Sequence, residues 1–332
     1  TGGAELVEAS DVPVRKVLPT PFRYGVLAVV GGLLLGSGFA LVRESMDDSI
    51  RTHADLEGVL PGVPVLGLIS AVPGWRDEET ALVSARDDPT SPSAESYRSL
   101  RTSLQFVGGP RPPRVIQITS ALPGEGKTTT VANLGVVLAG AGHRTVLVDC
   151  DLRRARLHAF FGLSNDVGFT SIYLGQATAV EAAKRAPGID NLWIVPSGPL
   201  PPNPSEVLSD KRTGEVLAKL LEESELILVD CPPLLPVTDS TALSVWVDAS
   251  LLIAKAEATT RQNLQRAVDI LLQTGAPLVG TVLNNVEPRG DYAYASSYYS
   301  ASAAGSSRAR TWQADGPGDG TDGAPERVER VV

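Results

Sequence analysis

Ser120–Thr130 reads SALPGEGKTTT and lies between an apolar run, RVIQIT, and an apolar helical pattern. A glycine-rich turn in that setting can point successive backbone N–H groups at a phosphate, with the positive end of a helix behind them. From Ala121 onward the segment has the spacing G-x-x-x-x-G-K-[ST], with alanine in the first position and Gly126-Lys127-Thr128 at the end. Lys127 offers a point charge to the β- and γ-phosphates of a nucleotide, and the Thr128 hydroxyl is a Mg2+ ligand by type. Gly124, Glu125, Gly126, Lys127, Thr128 and Thr129 are therefore the candidate nucleotide-binding residues, and the implied ligands are ATP and Mg2+.

Two further segments bring carboxylates. VLVDCDLRR closes an apolar run on Asp149 and Asp151, with Arg153 following, and LILVDCPP closes another on Asp230. In open α/β sheets ligands sit at the carboxyl ends of the strands, so the three aspartates can converge on the phosphate site. Mg2+ takes one or two protein carboxylates and fills its shell with phosphate and water. That leaves a third carboxylate for another task, such as accepting a hydroxyl proton. A single Asp at a strand end commonly caps the next turn; three, after two Val-Asp-Cys endings, go beyond that. Cys150 and Cys231 read as small buried neighbours of this site, without assigned reactivity.

These residues need strands and helices to hold them. From Arg114 the pattern predicts the strands RVIQIT, TVLVD, LWIVPSG, LILVD, SLLIAKA and PLVGTVLNN. It predicts helices over Lys127–Gly140, Ser205–Asp210, Thr213–Glu222 and Arg261–Gln273. Strands joined by helix-length connections imply an α/β fold of P-loop NTPase type: a mostly parallel sheet with helices on both faces. Upstream, HADLEGVL predicts a short helix, PVLGLIS a strand and AESYRSLRTSLQF a helix, linked through the Pro/Ser/Asp-rich RDDPTSPS. Tyr24–Val42 is uncharged and bracketed by Arg23 and Arg43. At about 1.5 Å per residue such a helix crosses a hydrocarbon core of about 30 Å. The acidic helical continuation after it, without a small-residue cleavage site, argues for a span over a signal peptide. The Gly32/Gly36 pair has the GxxxG spacing of close helix pairs, which is weak evidence in a glycine-rich helix.

The expected division is a membrane-proximal extracytoplasmic segment over 1–23, the transmembrane helix over 24–42 and a juxtamembrane linker with a helix over 43–110. The nucleotide-binding domain follows over 111–288, then a tyrosine cluster over 289–300 and a tail over 301–332 whose Gly/Ser/Asp/Ala composition predicts disorder. A net charge of −9 argues against nucleic acid as a partner. Neither the two cysteines nor the scattered His53, His143 and His158 have metal-site or disulfide-framework spacing.

ALPGEGKT, VLVDCDLR and ILVDCPP together resemble the Walker A, A′ and B motifs of the bacterial tyrosine kinases that accompany capsule and exopolysaccharide export. ESYRSLR is similar to that family's E-x-x-R-x-x-R element, and PPNPSEVL and GTVLNN are family-like as well. The span and RTHADLEGVLPGVPVLGLI resemble the end of a polysaccharide co-polymerase, a chain-length determinant. The likeness runs from about Pro13 to Tyr299 and implies a first span and an extracytoplasmic co-polymerase domain upstream. Ala121 is a departure that the family tolerates.

The resemblance implies an ATP- and Mg2+-dependent protein-tyrosine autokinase at the plasma (inner) membrane, its kinase domain cytoplasmic. Lys127, Thr128 and Gly124–Gly126 would hold the nucleotide, Asp149 would activate the tyrosine hydroxyl, and Asp151 and Asp230 would organise the metal. Tyr292, Tyr294, Tyr298 and Tyr299, four of the chain's seven tyrosines, stand at the family's autophosphorylation sites. Glu95, Arg98 and Arg101 would form a subunit contact in a ring-like homo-oligomer whose members phosphorylate each other's tails. The implied partners are the polysaccharide polymerase and export machinery and a cognate phosphotyrosine phosphatase. Lys/Arg counts around the span mildly favour the opposite orientation, and the need for cytosolic ATP overrides them.

Two other functions compete. A MinD/ParA-like membrane-associated switch ATPase shares the fold, but those proteins usually carry an extra lysine early in the loop, where Leu122 stands, and need no tyrosine cluster. A nucleotide-binding scaffold without turnover is disfavoured by the intact Lys127, Asp149, Asp151 and Asp230.

Overall fold

The computed structural model describes residues 21–45, 47–75, 81–107 and 112–287. The chain divides into two units, Thr1–Asp48 and Ser49–Val332. In the first, α1 (Pro21–Ser45) extends the predicted span at both ends. Its Phe22–Arg43 stretch has a mean hydropathy of 2.2 with none of it buried, and it is long and apolar enough to cross a membrane.

The second unit opens with α2 (His53–Val59), whose N-cap Thr52 and Asp55 form a reciprocal capping box. Then come β1 (Val65–Ser70), α3 (Ser84–Asp87), α4 (Pro92–Gln105), β2 (Val115–Ser120), α5 (Lys127–Gly140) and β3 (Thr145–Asp149). The short helices α6 (Leu157–Phe160), α7 (Phe169–Tyr173) and α8 (Ala179–Ala182) precede β4 (Lys184–Arg185) and β5 (Leu192–Val195). Next are α9 (Pro204–Ser209), α10 (Lys211–Glu222), β6 (Leu226–Asp230) and α11 (Asp239–Leu243), followed by β7 (Ala249–Lys255), α12 (Arg261–Gln273) and β8 (Leu278–Val286).

The strands form one sheet in the order β1-β8-β7-β2-β6-β3-β5-β4, parallel except for the antiparallel β4–β5 edge. Every residue of β2 and β3 is buried, as expected for strands covered on both faces. Side-chain alternation splits them between two cores. Ile116, Ile118, Leu147 and Leu228 pack on the face that carries α5, while Val146, Val148, Ile227 and Val229 join the opposite core with Leu217 and Leu220 of α10. A third apolar cluster joins α2 and α12 to Leu252, Ala254 and Leu283. Gly135 lets α5 lie close to the sheet: a Cβ there would come within 2.6 Å of the Leu147 side chain.

The same alternation orients the strand ends. Asp149 and Asp230 stand opposite each other in the β3–β6 register and continue the α5 side of their strands. Cys150 and Cys231, one residue on, fall into the opposite core, fully buried, as the small neighbours anticipated from sequence.

Candidate active site

β2 emerges at the centre of the sheet and turns through Ala121–Gly126 into α5. Gly126 is the N-cap of α5 at φ 96°, and no side chain caps the helix, so its first N–H groups face the loop. A Cβ on Gly126 would lie 2.0 Å from Asn284 Nδ2, and that amide donates to the Glu125 carbonyl at 3.0 Å. Both the backbone angle and this approach from β8 demand glycine.

Glu125 does something other than what its place in the motif implied. Its carboxylate is buried, accepting the Leu122 N–H at 2.8 Å and the Thr259 hydroxyl at 2.5 Å. Burial raises its pKa despite those bonds and the nearby Lys127. Its side chain clamps the loop to the β7–α12 connection, and only its backbone is available to a ligand.

A cleft of about 480 Å³ opens over the loop. Gly124, Gly126, Lys127, Thr128 and Thr129 form one wall, and Asp151, Arg153, Arg154 and Arg156 of the β3–α6 turn form another. Asn284 and Asn285 of β8, the Pro232–Pro233 pair after Asp230, and the rings of Trp75, Tyr97 and Phe160 complete it. Sequence reasoning did not single out the aromatic residues: Tyr97 fills an unspecified position of ESYRSLR and no motif marks Trp75 or Phe160. Asn284 sat in GTVLNN, noted only as family-like, and Pro232 in LILVDCPP, noted for its aspartate.

The three aspartates come together in two layers. Asp151 lines the cleft, with Oδ1 accepting the Arg154 N–H at 3.0 Å. Asp149 is wholly buried and absent from the cleft wall; its two oxygens accept the N–H groups of Asp151 at 3.2 Å and Leu157 at 3.1 Å. Burial, then the charges of Asp230 and Asp151, drive its carboxyl well above the usual range, against those two amides. Asp230 is also buried, and neither oxygen has a formed hydrogen bond. Burial pushes it up to about 7; the Lys127 ammonium and the approach of the Thr128 hydroxyl oppose the rise, and Asp151 adds to it. The pair therefore resists carrying two full charges.

These features fit a Mg2+-nucleotide. An uncapped helix N-terminus and Lys127 answer phosphate, and a buried carboxylate with unsatisfied oxygens answers a hydrated cation. Among the described residues no group of three His, Cys, Asp or Glu forms a metal cluster by itself. Mg2+ shares its shell with phosphate and water, so it needs only one or two protein carboxylates.

The remaining predicted residues lie elsewhere. On α4, Glu95 is exposed and pairs with Arg98, whose other nitrogen donates to the Pro89 carbonyl. Arg101, partly exposed like Arg98, turns its Nη1 to the Val137 carbonyl of α5 at 3.5 Å and has its Nε buried. Tyr97, Leu100 and Leu104 pack α4 onto α5 and bring the Arg101 guanidinium beside Val137. Tyr292, Tyr294, Tyr298 and Tyr299 lie outside the described residues.

Residues 116–304 match the CobQ/CobB/MinD/ParA nucleotide binding domain. Tyrosine-protein kinase YwqD of Bacillus subtilis (strain 168) is 36% identical over 214 residues, covering 64% of this chain and 90% of that protein. Putative tyrosine-protein kinase EpsB of Ralstonia nicotianae is 32% identical over 309 residues, or 90% of this chain, and the chain spans 40% of that longer protein. Among solved structures, the kinase domain of Escherichia coli tyrosine kinase ETK superposes with a TM-score of 0.66 at 28% identity, covering 72% of this chain and 95% of that domain.

Proposed function

The chain belongs to the bacterial protein-tyrosine kinases built on the CobQ/CobB/MinD/ParA nucleotide-binding domain, and from that premise we propose that it transfers the ATP γ-phosphoryl group to its own tyrosine cluster, Tyr292, Tyr294, Tyr298 and Tyr299, between copies in an oligomer. The reading is carried by the meeting of Lys127, Thr128 and Asp151 on one cleft with the Asp149–Asp230 pair directly behind it.

Bound Mg-ATP supplies the electrophilic phosphoryl group and a cation that offsets its charge. Lys127 and the N-terminus of α5 hold the phosphates, and Thr128, Asp151 and Asp230 hold the metal. Asp149 accepts the tyrosine proton, its proton affinity raised by burial and by the charges of Asp230 and Asp151. Its two oxygens accept the Asp151 and Leu157 N–H groups, which set the orientation of the carboxyl behind the cleft. A tyrosine that must meet an in-line geometry is best presented by a segment free of the core, which suits a cluster spaced by Ala and Ser.

In this reading α1 anchors the kinase to the plasma membrane with the second unit on the ATP-bearing cytoplasmic side. Glu95, Arg98 and Arg101 meet a neighbouring copy in the oligomer. The phosphorylation cycle tunes assembly and export of a surface polysaccharide and is reset by a phosphotyrosine phosphatase. These functions follow the resemblance of the juxtamembrane region to polysaccharide co-polymerases. The family domain is common to kinases and to MinD/ParA-type ATPases; the kinase-named relatives, Leu122 and the tyrosine cluster favour the kinase.

The test is incubation of the full chain in detergent with Mg-ATP labelled in the γ-phosphate, beside a Lys127→Met variant. The kinase reading expects label on tyrosine that depends on Lys127. Release of phosphate without labelled protein would replace it with the switch ATPase.

A further inference from the structure

The Arg153 side chain leaves the β3–α6 turn and reaches across to α9 and α11. Its Nε donates to Asp239 Oδ2 at 2.7 Å and its Nη2 to Asp239 Oδ1 at 3.0 Å, forming a two-pronged ion pair. The Ser205 hydroxyl donates to the same Oδ1 at 2.5 Å and lies 3.4 Å from Arg153 Nη2. Asp239 is fully enclosed at the start of α11, whereas Arg153 is 43% exposed and borders the cleft. A carboxylate buried to that degree is costly without a cation, and a fork onto both oxygens fixes direction as well as charge.

The other end of Arg153 matters as much. Its backbone lies inside the run whose amides hold the active-site carboxyls: Asp151 N–H on Asp149, Arg154 N–H on Asp151, and Leu157 N–H on Asp149. The turn also carries the Arg154 N–H to Asp151 carbonyl bond at 3.2 Å. These bonds tie the turn to itself and to β3. The Arg153 fork is a separate tie, to a part of the chain some fifty residues away for Ser205 and more than eighty for Asp239.

We propose that Arg153 and Asp239 are positioning residues: their fork, steadied by Ser205, fixes the Asp151–Leu157 turn so that Asp151 faces the cleft and Asp149 stays seated behind it. Arg153 thus acts on phosphoryl transfer through the two carboxyls, without touching the nucleotide. The effect on transfer rests on the roles given to Asp149 and Asp151 above; the effect on the turn does not.

The experiment compares Arg153→Gln, Arg153→Lys and Asp239→Asn in the full chain in detergent, by amide hydrogen exchange, fluorescent-nucleotide titration and phosphorylation kinetics. Arg153→Lys keeps a cation beside Asp239 and is the variant to rely on if Arg153→Gln fails to fold. Exchange across residues 150–157 is expected to rise about tenfold or more in each variant while α5 stays protected. The kcat for phosphorylation should fall by roughly 100-fold, the scale of a misplaced catalytic group. Nucleotide affinity should stay within about threefold, and lysine should not rescue, because it cannot fork onto two oxygens. Unchanged exchange over 150–157 would overturn the proposal. So would a tenfold or greater loss of nucleotide affinity with normal exchange, which would make Arg153 a ligand contact. Rescue by lysine would overturn it as well. If the parent chain makes no phosphotyrosine, the kinase reading falls, and the exchange data still decide whether the fork holds the turn.

Discussion

Replacing Asp230 with asparagine should make the protein more stable and inactive at once. Asp230 is enclosed at the end of β6 with no formed hydrogen bond to either oxygen, and its pKa rises from 3.8 to about 7. Between those values the folded protein holds a proton that the unfolded chain releases. Stability therefore falls as pH climbs through that window, and the loss is complete above it. About three pH units at about 1.4 kcal/mol each set a ceiling near 4 kcal/mol. The asparagine amide also lacks partners there, so about 2 kcal/mol should be recovered at pH 8. For a unit of this size that is a rise in Tm of about 4–8 °C. At pH 4, where the carboxyl is protonated in the folded state, parent and variant should melt within about 1 °C of each other. Thermal melts of the nucleotide-free full chain in detergent, from pH 4 to pH 8, make the measurement. A variant that gains nothing at pH 8, or gains equally at both ends, would show that ionising Asp230 carries no such cost.

Three other substitutions probe the site. Gly126→Ala meets both the φ of 96° and the Asn284 amide, so nucleotide affinity in a fluorescence titration should drop at least about tenfold; adding Asn284→Ala relieves only the contact and should restore part of it. Glu125→Ala strands the Leu122 N–H and the Thr259 hydroxyl and should cost about 2–3 kcal/mol in a denaturant melt, with Glu125→Gln costing less. Asp149→Asn should flatten the acid limb of the pH–rate profile, whereas Asp151→Asn should keep that limb and raise the Mg2+ concentration needed for half-maximal phosphorylation.

The centre of the sheet was legible because β3, β5 and β6 are continuous apolar runs ended by Asp or by a following Pro. TVLVD and LILVD match β3 and β6 in full, and α5 and α12 fall on the predicted Lys127–Gly140 and Arg261–Gln273. LWIVPSG ends early, at Val195, because Pro196 has no N–H to continue a ladder. The helix predicted from Thr213 begins at Lys211, since the Asp210 side chain accepts the Arg212 N–H and starts the turn sooner. Helices α6, α7, α8 and α11 and the two-residue β4 are too short to show any period.

At the site, the motifs marked residues that meet on one cleft but not the depth at which each sits. Asp149 and Asp151 are two residues apart and look equivalent in sequence, yet one is sealed and the other lines the cleft. Glu125 looks like a loop residue until Thr259, distant in the chain, arrives beside it. Arg101 shares its spacing with Arg98, and only the packing of α4 on α5 brings its guanidinium beside Val137.

The central claim is that the cleft phosphorylates the chain's own tyrosine cluster in another copy. The direct measurement mixes a Lys127→Met chain, which keeps the tyrosines, with an active chain truncated after Gly290, and maps phosphotyrosine by mass spectrometry. Phosphate is expected on Tyr292, Tyr294, Tyr298 or Tyr299 of the Lys127→Met chain only when both proteins and Mg-ATP are present. Cluster tyrosines that stay unmodified in the mixture while ATP is consumed would contradict it.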